Sequence, residues 1–356
     1  MAMILLLAAP AGAATRSPAP PRALFAVPRP AVPPRDVVVP GSASAASART
    51  SATAYSDGEE ERYPVEDGSG ATIAVTVTSA CEQACDAADP AAIARTVGGF
   101  IHGVEIELLT VQLDTPFQLG FDCGFDAQSC YFSGEDKIVL SGDDEPTSDG
   151  ASRDYVLAHE YGHHVAEHRE LPAPFPAAID WGPERWASYE HVCQGHRAGA
   201  LFPGDEGSHY YEDPGEAFAE SFAHNAFPAA AVKWGWAPAL RPNRGALEAL
   251  RRDTLTPWMA RSRLVLSGRV PRGGVVAREF PTPEDGLVSI GPAGDPQLGY
   301  ELILRNRSGK VLRSSRQGVS LRHQLDYTVC GQSRLRVAIR ATGEAGTPYR
   351  LTVQRP

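Results

Sequence analysis

The chain has 356 residues, 43% of them hydrophobic, and a formal net charge of -10 from 33 Lys plus Arg against 43 Asp plus Glu. That length and apolar content allow at least one substantial core and suit two domains. The acidic balance excludes a nucleic-acid partner, because phosphate binding needs concentrated Lys and Arg, and no window past the amino-terminal stretch supplies them. No run reaches the about 20 continuous apolar residues of a membrane span.

Residues 1–14 are almost entirely small or apolar, and Ala11, Gly12 and Ala13 have the small-x-small pattern of a cleavage site, so the stretch reads as a signal peptide and the chain as secreted. Residues 15–65 are crowded with Pro, Ala, Ser and Arg. Such a composition cannot offset the entropy of ordering, which predicts a disordered leader or pro-segment. Residues 66–258 then read as one α+β domain. Its expected elements are a strand at 71–77 (ATIAVTV), a helix at 89–100, a strand at 104–111 and a strand at 137–140 (KIVL). A helix follows at 155–168, with Ser152 as N-cap and Asp154 in the first turn; others follow Pro183 and begin at Asp213. From 259 to 356, short β-branched runs such as LVLSGRV, YELILRN and RLRVAIRA are punctuated by Gly, Pro and Asp, predicting an all-β antiparallel sandwich of seven to nine strands.

Six cysteines in a chain read as exported fit disulfides, although the count alone permits 15 pairings. The favoured set is two close pairs, Cys81 with Cys85 and Cys123 with Cys130, and one long link from Cys193 to Cys330 that ties the two halves together. These gaps are a poor match to the paired ligands of a four-cysteine zinc site.

The chemistry concentrates in His159-Glu-Tyr-Gly-His163, an HExxH motif within the helix expected at 155–168. A step of four residues turns through about 400°, so both imidazoles leave one face of the helix and can grip one ion. Glu160 leaves at a neighbouring angle, placed to act as general base on a metal-bound water. The rival reading is a solvent-facing helix with two satisfied histidines. Against it, Tyr155, Val156, Leu157, Ala158, Tyr161, Val165 and Ala166 surround the motif with apolar bulk.

A catalytic zinc site needs a third protein ligand and an open position. Arg169 and Ala166 stand where the metzincin pattern requires His and Gly, which removes that option. The best remaining donor lies in Asp213-Pro-Gly-Glu216-Ala-Phe-Ala-Glu220. Asp213 reads as an N-cap and Pro214 as the first helical residue, which also gives Glu216 a bland role as half of a capping box. Glu216 and Glu220 nonetheless sit one turn apart on a helix otherwise rich in Ala and Phe. A ligand at Glu216 and an outer carboxylate at Glu220, accepting the distal N–H of a ligand histidine, account for both. Asp180 and Asp213 remain as alternative third ligands.

The two motifs resemble the gluzincin branch of zinc metallopeptidases, the thermolysin-like clan, and most of all families such as that of the anthrax lethal factor catalytic domain, which write the second motif as Glu-x-Phe-Ala-Glu. The resemblance spans roughly residues 70–230. It implies a zincin-like fold and one catalytic Zn2+ held by His159, His163 and Glu216. It also implies Glu160 as general base, Glu220 as the carboxylate one turn on, and a peptide or protein substrate. Families of this type often set a Tyr or His beside the oxyanion; His209, Tyr210 and Tyr211 precede Glu216 by five to seven residues, and Tyr210 is the choice. The carboxy-terminal region, through its DYTVC and YRLTV phrases, resembles the β-domains appended to many secreted bacterial peptidases.

Two further readings complete the set. The alternative to an enzyme is a secreted, non-enzymatic binding protein whose sandwich recognises a surface and whose zincin-like half is structural; a base beside the metal argues against it. The acidic loop Asp143, Asp144, Glu145 and Asp149 has the oxygen donors for Ca2+ but reads as a solvated loop near the cleft. His164, His168, His191 and His196 read as solvated or packing histidines. Substrate preference and oligomeric state are not legible in the sequence.

Overall fold

The computed structural model describes residues 58–124, 127–144, 146–147, 150–258, 262–293, 300–315, 324–341 and 347–356, all within one compact unit, Pro34–Pro356. The expected signal peptide, most of the leader, Glu145 and Asp149 lie outside the described residues.

A five-stranded mixed sheet opens the fold. Its strands are β1 (Glu60–Pro64), β2 (Thr72–Val77), β3 (Thr110–Asp114), β4 (Ser129–Phe132) and β5 (Lys137–Ser141), in the spatial order β1-β2-β3-β5-β4. β2, β3 and β5 run parallel, while β1 and β4 are antiparallel edges. Layers on both sides cover the central strands, so TIAVTV and TVQLD are buried almost throughout rather than on alternate residues. The leader, read as ending at residue 65, gives way earlier, since Glu60–Pro64 is already paired with β2.

The strand expected at 104–111 is corrected. Residues Val104–Glu107 form a 3-10 turn, and the strand is Thr110–Asp114. Val104 and Leu108, which carried the apparent alternation, are 87% and 53% exposed. The buried Glu105 carboxylate instead accepts from the Gly103 backbone at 2.7 Å and pairs with Arg169 at 3.0 Å, and these contacts hold the segment as a turn. Arg169, at the position a metzincin would give to histidine, also donates to the carbonyls of Asp253 and Thr254.

The helices, in chain order, are α1 (Ser79–Ala84), α2 (Pro90–Gly98), α3 (Pro116–Asp122), α4 (Arg153–Glu167), α5 (Ala178–Trp181), α6 (Glu184–Tyr189), α7 (Val192–Arg197), α8 (Pro214–Ala226) and α9 (Arg244–Leu255). Local chemistry sets several starts. Asp89, Thr115, Ser152 and Asp213 cap α2, α3, α4 and α8 through side-chain oxygens, and proline opens α2, α3 and α8. α4 and α8 meet at Gly162, where a β-carbon would lie 2.7 Å from the Ala219 Cα and 3.1 Å from its carbonyl. Both are helical backbone and cannot yield like a side-chain end. Gly162→Ala is therefore expected to destabilise the fold by about 1–3 kcal/mol despite alanine's better helix propensity; a thermal melt no lower than the parent's would contradict it.

Residues 262–356 contribute eight described strands: β6 (Ser262–Val270), β7 (Val275–Thr282), β8 (Gly286–Pro292), β9 (Tyr300–Arg305), β10 (Val311–Ser314), β11 (Leu325–Val329), β12 (Ser333–Ala341) and β13 (Thr347–Arg355). They form two four-stranded antiparallel sheets, β10-β9-β12-β7 and β11-β8-β13-β6. Alternate residues such as Leu335, Val337 and Ile339 of one sheet and Tyr349, Leu351 and Val353 of the other turn into one shared apolar core.

All three disulfides form as expected: Cys81–Cys85, Cys123–Cys130 and Cys193–Cys330. The last joins α7 to the turn after β11. Beside it the Asp285 backbone donates to Ser188 at 2.8 Å, and the Asp285 side chain accepts from the Gly331 backbone.

This junction buries several carboxyl groups. Burial, reinforced by Asp285 and Glu284, pushes Glu184 from its ordinary 4.5 up to about 10. Burial likewise raises Asp253 to about 6 and Asp285 to about 6. The folded chain thus keeps a proton on Glu184 that the unfolded chain releases above pH 4.5, so the contribution of this group to stability is fully present below pH 4.5 and is lost as pH rises toward 10. That contribution declines by on the order of 1 kcal/mol per pH unit across part of that window. Glu184→Gln should flatten the decline, as followed by urea unfolding at pH 5, 7 and 9.

Candidate metal centre

α4 and α8 lie side by side, and each presents polar groups at the contact. His159 and His163 leave α4 one turn apart, as their spacing requires, with ring centroids 5.1 Å apart. From α8, Glu216 reaches between them: one carboxylate oxygen lies 3.4 Å from His159 Nε2 and the other 3.4 Å from His163 Nε2. One donor atom from each of the three residues falls within 4.8 Å of the others, and all three residues are at most 3% exposed. Such a cluster can hold a divalent metal ion.

Neither oxygen of Glu216 and neither nitrogen of His163 makes a hydrogen bond. In a capping box the Glu216 side chain would return to the Asp213 backbone; instead the Asp213 N–H bonds the Tyr210 carbonyl at 3.3 Å, while the Asp213 carboxylate caps Gly215 at 2.7 Å. Burial opposes the charge on Glu216, yet His163 and His159 against it outweigh that and hold its carboxyl below the usual range. Asp180 and Asp213, the alternative ligands, stand outside the group of three. Burial raises both, Asp213 to about 8 with the neighbouring Glu216 charge adding to the effect.

Behind the cluster, Glu220 faces His159 Nδ1 at 3.1 Å and accepts from the Tyr155 hydroxyl at 2.7 Å. Glu160 is fully buried, and one of its oxygens accepts from the Ser129 hydroxyl at 2.5 Å. Ser129 lies on the edge strand β4, 31 residues away in sequence, and no local signal marks it. Only the pairing of β4 with β5 brings it to the helix. Trp236 was also missed: its ring lies 5.8 Å from that of His159. Tyr210 is half-buried and packs on Trp236, centroids 6.2 Å apart. His209 is engaged elsewhere, stacked on Phe202 and paired with Asp205 at 2.6 Å.

A second group lies on another face of α4, formed by His164, His168 and Asp136. His164 is wholly buried rather than solvated. Of the acidic loop, Asp143 accepts from the Asp86 backbone at 3.2 Å and Asp144 lies 3.9 Å from Arg153; neither joins a metal-capable group among the described residues. Nor is any described helix long and apolar enough to cross a membrane.

No protein-family model matches the chain, and no curated protein matches it. Among solved structures, the pre-peptidase C-terminal domain of collagenase from Bacillus anthracis is similar at 12% identity and a TM-score of 0.22, over 26% of this chain and 88% of that one. The mitogen derived from Yersinia pseudotuberculosis gives 13% and 0.22, over 27% and 87%. PliG of Aeromonas hydrophila, a periplasmic inhibitor of g-type lysozyme, gives 8% and 0.21, over 27% and 85%. Scores this low carry no argument about fold or activity.

Proposed function

We propose that the chain is a secreted zinc-dependent peptidase, a zincin-like catalytic domain followed by a β-sandwich, in which His159, His163 and Glu216 hold one catalytic zinc. The carrying observation is the pair of equal 3.4 Å separations from Glu216 to the two imidazoles, in a buried cluster where the Glu216 oxygens have no hydrogen bond. Buried polar atoms left so are costly unless a cation completes them. Donors about 2.1 Å from a tetrahedral zinc stand about 3.4 Å apart, and two imidazoles with one carboxylate are a donor set that leaves zinc an open position.

When bound, zinc supplies Lewis acidity to a scissile carbonyl and lowers the pKa of a coordinated water toward 7. The remaining work falls to side chains of the fold. Glu160 accepts the proton of the attacking water and delivers it to the leaving amine. Ser129, bonded to the Glu160 carboxylate, fixes its direction. Glu220 accepts the Nδ1–H of His159, which leaves the Nε2 lone pair facing Glu216, and Tyr155 fixes Glu220 in turn. Tyr210 is assigned to the developing oxyanion. The substrate is a peptide or protein.

The test is metal analysis of the purified full chain beside cleavage of a mixed peptide library, with His163→Ala as comparison. The variant should lose one equivalent of zinc and all cleavage. Cleavage by His163→Ala at the parent rate would overturn the assignment.

A further inference from the structure

His164 and His168 repeat, five residues further along the chain, the four-residue spacing of His159 and His163. At 100° per residue the two pairs point roughly 140° apart around the helix axis. The second pair faces the β4–β5 hairpin, where His168 meets Asp136 and His164 meets Tyr131, whose hydroxyl also bonds Glu167. Nothing in the proposed peptidase chemistry uses these groups.

These groups offer more acceptors than protons, an imbalance that a cation would relieve. His164 Nε2 lies 2.8 Å from the Glu105 carbonyl, which can only accept, so Nε2 carries the proton and the neutral ring keeps its lone pair on Nδ1. A histidine anchored by a carbonyl at one nitrogen, with the other aimed into a polar cluster, is oriented as metal-ligating histidines are. Nδ1 faces the Tyr131 hydroxyl at 3.2 Å and an Asp136 oxygen at 3.6 Å. Tyr131 has one proton to give, yet it stands among His164 Nδ1, Asp136 and a Glu167 oxygen, all lone-pair acceptors. His168 Nε2 closes the group at 2.6 Å from the same Asp136 oxygen. The second oxygen of Glu167 accepts from the Ser133 hydroxyl at 2.9 Å and the Gly134 backbone at 2.7 Å, which ties the turn bearing Asp136 to the helix.

We propose that His164 Nδ1, His168 Nε2 and Asp136 form a second metal site, for zinc or a like divalent ion. One ligand atom from each already lies within 4.8 Å of the others. Two imidazoles and a carboxylate suit zinc, and poorly suit the all-oxygen preference of Ca2+ or Mg2+. Occupation replaces the 2.6 Å contact between His168 and Asp136 with a shared ion, and clamps the carboxy-terminal turn of α4 to the β4–β5 turn. The site does not depend on the peptidase assignment.

The test loads the full chain with Zn2+, removes loosely held ion by gel filtration and counts metal per chain, with Co2+ absorption as a second readout. His168→Gln and Asp136→Asn are the variants of choice, since both side chains are partly exposed and circular dichroism can verify their fold. The parent should hold two equivalents, each of these variants one, and His163→Ala one. A combined His163→Ala, His168→Gln chain should hold none. A parent with a single ion that survives His168→Gln and vanishes with His163→Ala overturns this site and leaves the catalytic one standing. A single ion lost with His168→Gln and kept by His163→Ala supports this site and overturns the other. Two ions retained in both His168→Gln and Asp136→Asn, or none in the parent, overturn the proposal.

Discussion

Glu160→Gln is expected to keep its zinc and lose about a thousandfold in kcat/KM, within the usual range for a general base. That factor corresponds to about 4 kcal/mol of barrier. Glutamine matches the shape of glutamate and can still accept from Ser129, so the local packing around this fully buried side chain should survive. What it cannot do is hold a proton between the attacking water and the leaving amine. The loss should therefore fall on kcat with KM little changed, the pattern of an interaction made only in the transition state. Full-rate cleavage by Glu160→Gln would exclude the assigned role. A parent chain that cleaves no peptide while holding zinc would instead favour a binding protein with a structural metal.

Replacing Cys193 and Cys330 together by Ser is the substitution expected to cost most in stability. The bond closes a separation of 137 residues. Loop-closure entropy for a chain of that length amounts to about 5 kcal/mol, against roughly 2 kcal/mol for the short Cys81–Cys85 loop. Around the long link, the contacts of Asp285 with Ser188 and Gly331 are polar, and each half has its own apolar core. Without the bond, the carboxy-terminal sheets should unfold separately, so urea denaturation followed by tryptophan fluorescence and by far-UV dichroism should give two non-coincident transitions. The Cys81, Cys85 double serine variant should lose only about 2 kcal/mol and keep a single transition; equal loss in the two variants would refute the argument from loop length.

Features set by neighbours along the chain are legible in the order of residues. Helical period alone puts His159 and His163 on one face. Ser152 and Asp213 cap their helices because a short side-chain oxygen reaches the backbone N–H groups two or three residues ahead. The β-branched runs past residue 262 form strands, since their alternating faces need an apolar partner.

Features that depend on distant partners emerge with the folded chain. The position of β3 followed from the Glu105 contact with Arg169, which outweighed the alternation of 104–111. Ser129 beside Glu160 and Trp236 beside His159 came from sheet order and chain return, which no local pattern encodes. His164 and His168 read as bland until folding set Asp136, Tyr131 and the Glu105 carbonyl around them. A residue's spacing fixes the direction it faces on its own helix; the groups that meet it there are set by long-range packing.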